Sequence, residues 1–445
     1  MSTASPAPAK RRRLRPAAVT ITLGVALFLA GGVGLAPSGR PAPDSAAASG
    51  TTEAGRTGLD GHIHALQDRL RTAPGDSAAL GALGLAYVQQ AKNTGDPTYY
   101  PRADAVLAQS LRAEPGDNVP AMAGLAALEA ARHHFTSALT WATRAVALSP
   151  DNSTLHGILA DAYTQLGRYG EAFDAVQRMV DLRPGTPSLA RASYTWELRG
   201  DIPHATANMQ RALDDANTTA DRAFTLYHLS QLALDHGDTA TALRHAETGL
   251  RLAPVSATLL EARAKAGAAA GDTEGALADY RQAVSQLPQP DYLMAYGELL
   301  QSLGRTAEAE QQYQVFRAGQ KLLADNGVST DTDAVLFEAD HGDPQRAVTI
   351  AEQGLAGRPF LDMHDAYAWA LHLAGRDTEA AAESEQATAL GTRSALFHFH
   401  RGMIEKSLGN HERARAELTE ALAINPAFHP LHAPTARKAL NSLTP

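Results

Sequence analysis

The sequence predicts an all-α fold: a right-handed α-solenoid of about ten helical hairpins, with a capping helix at each end. Three observations predict it. An apolar helix, a turn glycine, a second apolar helix and a proline recur in that order roughly every 34 residues. Alanines, glycines and serines recur at fixed places within that period, where two helices would cross closely. The stretches Leu59 to Thr72 and Ala433 to Leu443 each read as one unpaired amphipathic helix flanking the array.

The pattern is clearest from Asp151 to Pro184. Leu159 and Tyr163 fall on one helical face beside Ala160. Gly167 breaks the run where a left-handed cap wants glycine. Ala172, Val176 and Met179 recur at three and four, and Pro184 forbids continuation. Asp151 and Asn152 precede the first helix, where a side-chain oxygen can cap free amides.

The other elements follow in order. The first hairpin carries Leu83, Gly84 and Tyr87, then Ala103, Leu107 and Pro115, with Lys92 to Pro101 read as an insertion whose Tyr99 and Tyr100 either meet a partner or pack locally. The second carries Leu125, Ala126, Ala138, Ala142 and Pro150. The fourth carries Ser193, Gly200, Ala205 and Met209, and the fifth Ser230, Gly237, Ala242 and Pro254. The sixth carries Ala264, Gly271, Ala276 and Tyr280. The seventh carries Gly297, Gly304 and Tyr313, its second helix running towards Ala324. Gly342 and Pro359 mark the eighth, Ala368 and Gly375 the ninth, and Gly402, Gly409, Leu418 and Pro426 the tenth.

These columns, a Leu-small-x-x-Tyr-like run followed by Gly, Ala, Ala and Pro, resemble the tetratricopeptide repeat (TPR) family over most of the chain. The domain reading is a basic segment 1–16, an apolar segment 17–36, a Pro/Ala/Ser/Gly-rich tether 37–56 and a TPR solenoid 57–445.

Lys10 to Arg15 is a basic cluster, and Ala17 to Ala36 is uncharged and mostly apolar. Twenty residues at about 1.5 Å each would cross a hydrocarbon layer of roughly 30 Å. Basic residues stay in the cytoplasm, which puts the C-terminal body outside. Two readings stand: a single-pass anchor in the cell membrane, or a signal cleaved near Ser45 to Ala48, giving a secreted protein. The membrane is touched through this N-terminal helix only. Arginine-, alanine- and glycine-rich, lysine-poor composition points to a bacterial, GC-rich genome, and the expectation is a TPR protein of bacterial envelope type.

Six of the 39 Lys+Arg and none of the 48 Asp+Glu precede residue 41. The remainder, 33 bases against 48 acids, carries a net charge of −15. A body that acidic argues against a nucleic-acid partner, since phosphate binding needs a basic face. With no cysteine, thiol chemistry and disulfides are excluded. No hydrolase, metalloprotease, P-loop or dinucleotide motif is found, so no enzyme and no cofactor is expected. Histidine is the one tempting signal, with 17 in the chain. His398 with His400, and His429 with His432, look like ligand pairs. However, His364, His398 and His432 fall in one column of successive helices, roughly 8–10 Å apart, too far to share an ion. No metal site is assigned.

The resemblance implies that the first helix of each hairpin lines a concave groove. In that register Tyr227, Gln231, Asp235, Glu261, Met294, Glu298, Asp362, Asp365, Trp369, Phe399 and Met403 face inward, with Asp161, Tyr194, Glu197, Lys265, Asp291, Asp340 and Lys406. Acids dominate, and aromatic and thioether groups gather towards the C-terminal half. The family's clamp for a C-terminal carboxylate needs inward Lys, Arg and Asn, which this groove lacks. The implied function is a scaffold that binds a protein or peptide of basic and apolar character. The alternative is an accessory factor in envelope metal or cofactor handling through the C-terminal histidines, loosely similar to TPR subunits that hold apocytochromes. The sequence leaves the partner's identity and the oligomeric state undetermined.

Overall fold

A computed structural model describes residues 53–443. The basic segment 1–16, the apolar segment 17–36 and nearly all of the segment 37–56 lie outside them. Among the described residues there are 22 α-helices. α1 (Glu53–Thr72) begins a few residues inside the stretch read as a tether. Ten hairpins follow: α2 (Ser77–Thr94) with α3 (Tyr99–Ala113), α4 (Val119–Ala131) with α5 (Phe135–Leu148), α6 (Ser153–Gln165) with α7 (Tyr169–Leu182), α8 (Thr186–Glu197) with α9 (Ile202–Asp215), and α10 (Thr219–Asp235) with α11 (Thr239–Leu252). The remainder are α12 (Ala257–Ala270) with α13 (Thr273–Gln286), α14 (Pro290–Ser302) with α15 (Thr306–Asp325), α16 (Thr332–His341) with α17 (Pro344–Gly357), α18 (Leu361–Leu373) with α19 (Asp377–Ala387), and α20 (Ala395–Ser407) with α21 (His411–Ile424). α22 (His432–Ser442) closes the stack against α21 and α20. The expected α-solenoid is present with its hairpins in register.

Local chemistry sets the helix boundaries. Asn152, not Asp151, caps α6: its Oδ1 accepts the amides of Thr154 and Leu155 at 3.0 and 3.4 Å. Asp76, Asp201, Asp238 and Asp272 cap α2, α9, α11 and α13 in the same way. Gly342 departs from the expected turn geometry, with φ −138°, outside the left-handed region. Of the stretch Lys92 to Pro101 only Gly95 to Thr98 is a turn. The rest lengthens α2 to Thr94 and starts α3 at Tyr99, so Tyr100 is fully buried and Tyr99 packs on Tyr87 at 5.9 Å.

Within each hairpin a small residue faces a larger one. Gly84 lies under Leu107, Gly297 under Tyr313, and Gly402 under Leu418. Ser193 and Ser230 occupy the same column and add a bond across the hairpin. Their hydroxyls donate to the carbonyls of Ala205 and Ala242 at 2.7 and 2.8 Å.

The first helices of successive hairpins pack directly on one another, as in α2 on α4, α10 on α12 and α16 on α18. They form the inner wall of the spiral. The spiral is tight enough for one turn to touch the next. Residues 191 to 197 positions apart are joined, a span of between five and six repeats. The Ser329 amide donates to the Arg132 carbonyl at 3.0 Å, and the Leu361 amide to the Tyr169 hydroxyl at 2.8 Å. The Thr392 hydroxyl donates to the Leu198 carbonyl at 2.5 Å, and the Asn425 amide to the Leu234 carbonyl at 2.7 Å. In each case the turn inside one hairpin meets the link that follows a hairpin five repeats later. Arg358 is the centre of this seam. It is 4% exposed, donates to Gln165 Oε1 at 2.5 and 2.9 Å and to Asp331 Oδ1 at 2.9 Å, and stacks on Phe135 and Phe360.

Candidate functional site

The inner wall is where the site lies. On α10, Tyr227, Gln231 and Asp235 are spaced four apart, so they share one face. Glu261 and Lys265 do the same on α12. Asp291, Met294 and Glu298 come from α14, Asp333 and Asp340 from α16, and Asp362, Asp365 and Trp369 from α18.

The structure divides these residues into two groups. The first, towards the C-terminus, is internally satisfied. Glu298 is buried and accepts from His341 Nε2 at 3.1 Å and His429 Nε2 at 3.0 Å. Burial opposes its charge, but His429 and His341 hold it well below the ordinary carboxylate range. His429 Nδ1 accepts the amides of Leu431 and His432 at 3.2 Å, which fixes its proton on Nε2. Asp340 accepts from Trp369 Nε1 at 3.0 Å and from His432 Nε2 at 3.3 Å. Asp365 is buried and pairs with His400 Nδ1 at 2.8 Å.

Trp369 and Phe399 therefore differ from the expectation of open groove anchors. Trp369 is 4% exposed and stacks on His400 at 4.3 Å. Phe399 is fully buried against His432 at 4.9 Å and Phe428 at 5.6 Å. The lead-in to α22 folds over them and makes them core. Met403 packs partly buried on the same cluster, and Met294 on the one before it.

The histidines pair with carboxylates. His398 Nδ1 meets Glu417 at 2.6 Å and His364 Nδ1 meets Glu383 at 2.7 Å, each on the second helix of its own hairpin. His400, His429 and His432 go to Asp365, Glu298 and Asp340 as described. Among the described residues no three His, Asp or Glu side chains come together to hold a metal ion.

The second group is not satisfied. Glu197, Asp235, Asp291, Asp333 and Asp362 have no ion-pair partner among the described residues. Each is pushed towards its protonated form, chiefly by desolvation; neighbouring acids add to this, and Lys265 opposes it at Asp235, Asp291 and Asp333. Glu197 rises to about 8, with Asp235 and Asp362 adding repulsion. Asp291 rises to about 7 beside Glu261, and Asp235 and Asp362 to about 6. Asp333 is raised beside Asp331 and Asp291. Asp235 is exposed, and Glu197, Asp291, Asp333 and Asp362 are half-buried. A cleft of about 160 Å³ opens between α8 and α10, lined by Tyr194, Glu197, Met209, Tyr227, His228 and Gln231.

Asp333 and the seam residues Gln165, Asp331 and Arg358 were not indicated by the repeat register. The one sequence hint was the absence of a turn glycine in the second hairpin. There His133 takes φ +64°, with Nδ1 3.1 Å from both the Ser329 carbonyl and Arg358 Nη1.

Comparison with known families matches tetratricopeptide repeat models at residues 121–187, 227–290, 268–321 and 395–428. These fall in hairpins two and three, five to seven, and ten. No curated protein matches. Similar solved structures include a tetratricopeptide repeat protein from Parabacteroides merdae, 20% identical over 58% of this chain and 98% of that one, with a TM-score of 0.34. PilW, a widely conserved type IV pilus biogenesis factor, is 16% identical over 50% and 97%, at 0.39. A human IFIT1 dimer with m7Gppp-AAAA is 16% identical over 74% and 76%, at 0.47. Repeats of this kind are a scaffold for protein–protein contact. With matches at both ends and the middle of a continuous hairpin stack, the chain is a tetratricopeptide repeat protein.

Proposed function

We propose that this chain is a non-enzymatic scaffold that holds a basic and apolar segment of a partner protein against its inner wall. The observation that supports this is the row of carboxylates Glu197, Asp235, Asp291, Asp333 and Asp362, which make no ion pair among the described residues. Holding like charges together without counterions is unfavourable, and a partner's lysines or arginines would relieve it. Tyr194, Tyr227 and Met294 along the same wall offer apolar contact between the charges.

We place the solenoid on the outer side of a bacterial membrane. The support is the sequence alone: the basic cluster Lys10 to Arg15 ahead of the apolar stretch Ala17 to Ala36. Among the described residues no helix is long and apolar enough to cross a membrane.

Capture of partners from envelope extract by the full chain and by an Asp235→Lys/Asp362→Lys variant tests the wall. A captured protein lost from the variant and weakened by salt is the expected result. Capture indifferent to both changes would move the contact off the inner wall. Protease digestion of intact cells tests the location, with degradation expected only if the solenoid lies outside.

A further inference from the structure

One place on the inner wall holds buried acceptors that no donor reaches in hydrogen-bond geometry. Glu261 on α12 is fully buried, and neither of its carboxylate oxygens receives a hydrogen bond. Lys265 Nζ lies 2.5 Å from Glu261 Oε1 as an ion pair one turn along the same helix, without hydrogen-bond geometry. On α10, which packs against α12, Gln231 Oε1 is buried and without a donor. Asp291 Oδ1, at the start of α14, is in the same condition. All of these are acceptors. Tyr227, one turn before Gln231, is buried in the neighbouring core, and its phenol is raised by that burial and by Glu261 and Asp291.

Native proteins leave few buried acceptors unpaired, because each costs about 1–3 kcal/mol. Here they come from three helices, and Glu261 and Asp291 lie near enough for one to repel the other. What is missing is a group that brings several N–H donors and a positive charge. An ammonium is a compact charge with three donors. A guanidinium is a planar fork with five, able to bridge acceptors on separate elements while its face stacks on a tyrosine. A metal ion would need three ligating side chains within reach of one point, and none are so placed among the described residues.

We infer that Gln231, Glu261 and Asp291 form a receiving station for a guanidinium, supplied by an arginine side chain of the bound segment, with Tyr227 as its stacking wall. This rests on the proposed segment-binding function and adds to it the residue the wall selects. Lys265 already neutralises one charge of Glu261, which leaves Asp291 and Asp333 to face the arriving cation.

The test uses the full chain in mild detergent and calorimetric titration. The probes are a capped pentapeptide with one arginine between leucines, the same peptide with lysine or citrulline in its place, and agmatine as a free guanidine. The arginine peptide is expected to bind about tenfold or more tightly than the lysine peptide, and the uncharged citrulline peptide not to bind. Glu261→Gln and Asp291→Asn, both isosteric, are expected to weaken the arginine peptide by about tenfold or more. Asp291→Asn is also expected to raise the melting temperature of the empty protein or leave it unchanged, whereas Glu261→Gln strands Lys265 and is expected to lower it. Should Glu261→Gln fail to fold, Asp291→Asn alone decides. Equal binding of arginine and citrulline peptides, or variants that bind as the parent does, would overturn the station while segment binding stood. Agmatine binding as tightly as the peptide would overturn the partner's arginine as the source. No response to any cationic probe would overturn both the station and the function it rests on.

Discussion

Gly84 shows how much a single hydrogen decides in this stack. A Cβ placed there would lie 2.4 Å from Leu107 Cγ and 2.5 Å from its Cδ2. Leu107 is fully buried and also covers Gly124 of α4, where a Cβ would lie 2.4 Å away, so it has nowhere to turn. Gly84→Ala would gain up to about 1 kcal/mol of helix propensity but overpack the contact by about 1–3 kcal/mol. A net loss in chemical denaturation is expected, and unchanged stability would mean that Leu107 can move. Glu197 makes the electrostatic counterpart. Its folded value of about 8 against an ordinary 4.5 means the folded state holds a proton over that window. The stability it contributes is complete below about 4.5 and is lost as pH rises towards 8. Glu298, held low, does the opposite and loses its contribution as pH falls through the acid range. Melting temperature is therefore expected to peak in mildly acid solution. Glu197→Gln should flatten the alkaline limb and leave the acid limb in place.

At the scale of helices, much was legible because a repeat reports its own boundaries. Gly167, Gly200 and Gly304 mark turns, Pro150 and Pro184 mark ends, and the inward register put Tyr227, Gln231 and Glu261 on successive inner helices as found. What the repeat could not report is contact that breaks the repeat. Lys92 to Pro101 looked like an insertion because it departs from the period, yet helical propensity and the burial of Tyr100 absorb it into α2 and α3. Trp369 and Phe399 looked like groove anchors because nothing in their own hairpins covers them. Their cover comes from Phe428 and His432, in a segment outside the period. The histidines of that segment make a prediction about the end of the stack. His429→Ala would leave Glu298, 4% exposed, with His341 alone, and would free the amides of Leu431 and His432. A cost of about 1–3 kcal/mol is expected. Hydrogen exchange should locate it in α20 to α22, with α2 to α7 unchanged; uniform loss would show that the end helix has no local role.

At the scale of the molecule, the decisive contacts are between residues 191 to 197 apart, and no 34-residue pattern encodes them. They turn an open spiral into one whose turns rest on each other, enclosing the inner acids. Two turn glycines separate this effect from ordinary turn chemistry. Gly200 and Gly304 both cap hairpins with left-handed φ, +71° and +75°, so alanine costs each about 1–2 kcal/mol in backbone strain. Around Gly304 a Cβ would meet nothing within 4 Å. At Gly200 it would lie 2.3 Å from the Gly391 carbonyl oxygen, on the next turn of the spiral. That oxygen belongs to backbone and cannot rotate away, so the turns must part or the seam must deform. Gly200→Ala is expected to lose about 1–3 kcal/mol more than Gly304→Ala. Small-angle scattering should show a larger radius of gyration for Gly200→Ala only. If the turns do part, water reaches Glu197 and Asp362, and the alkaline loss of stability should shrink in that variant as well. Equal losses and equal radii would mean that the turns do not touch in solution, and the enclosure that raises those carboxylates would have to be sought within a single turn.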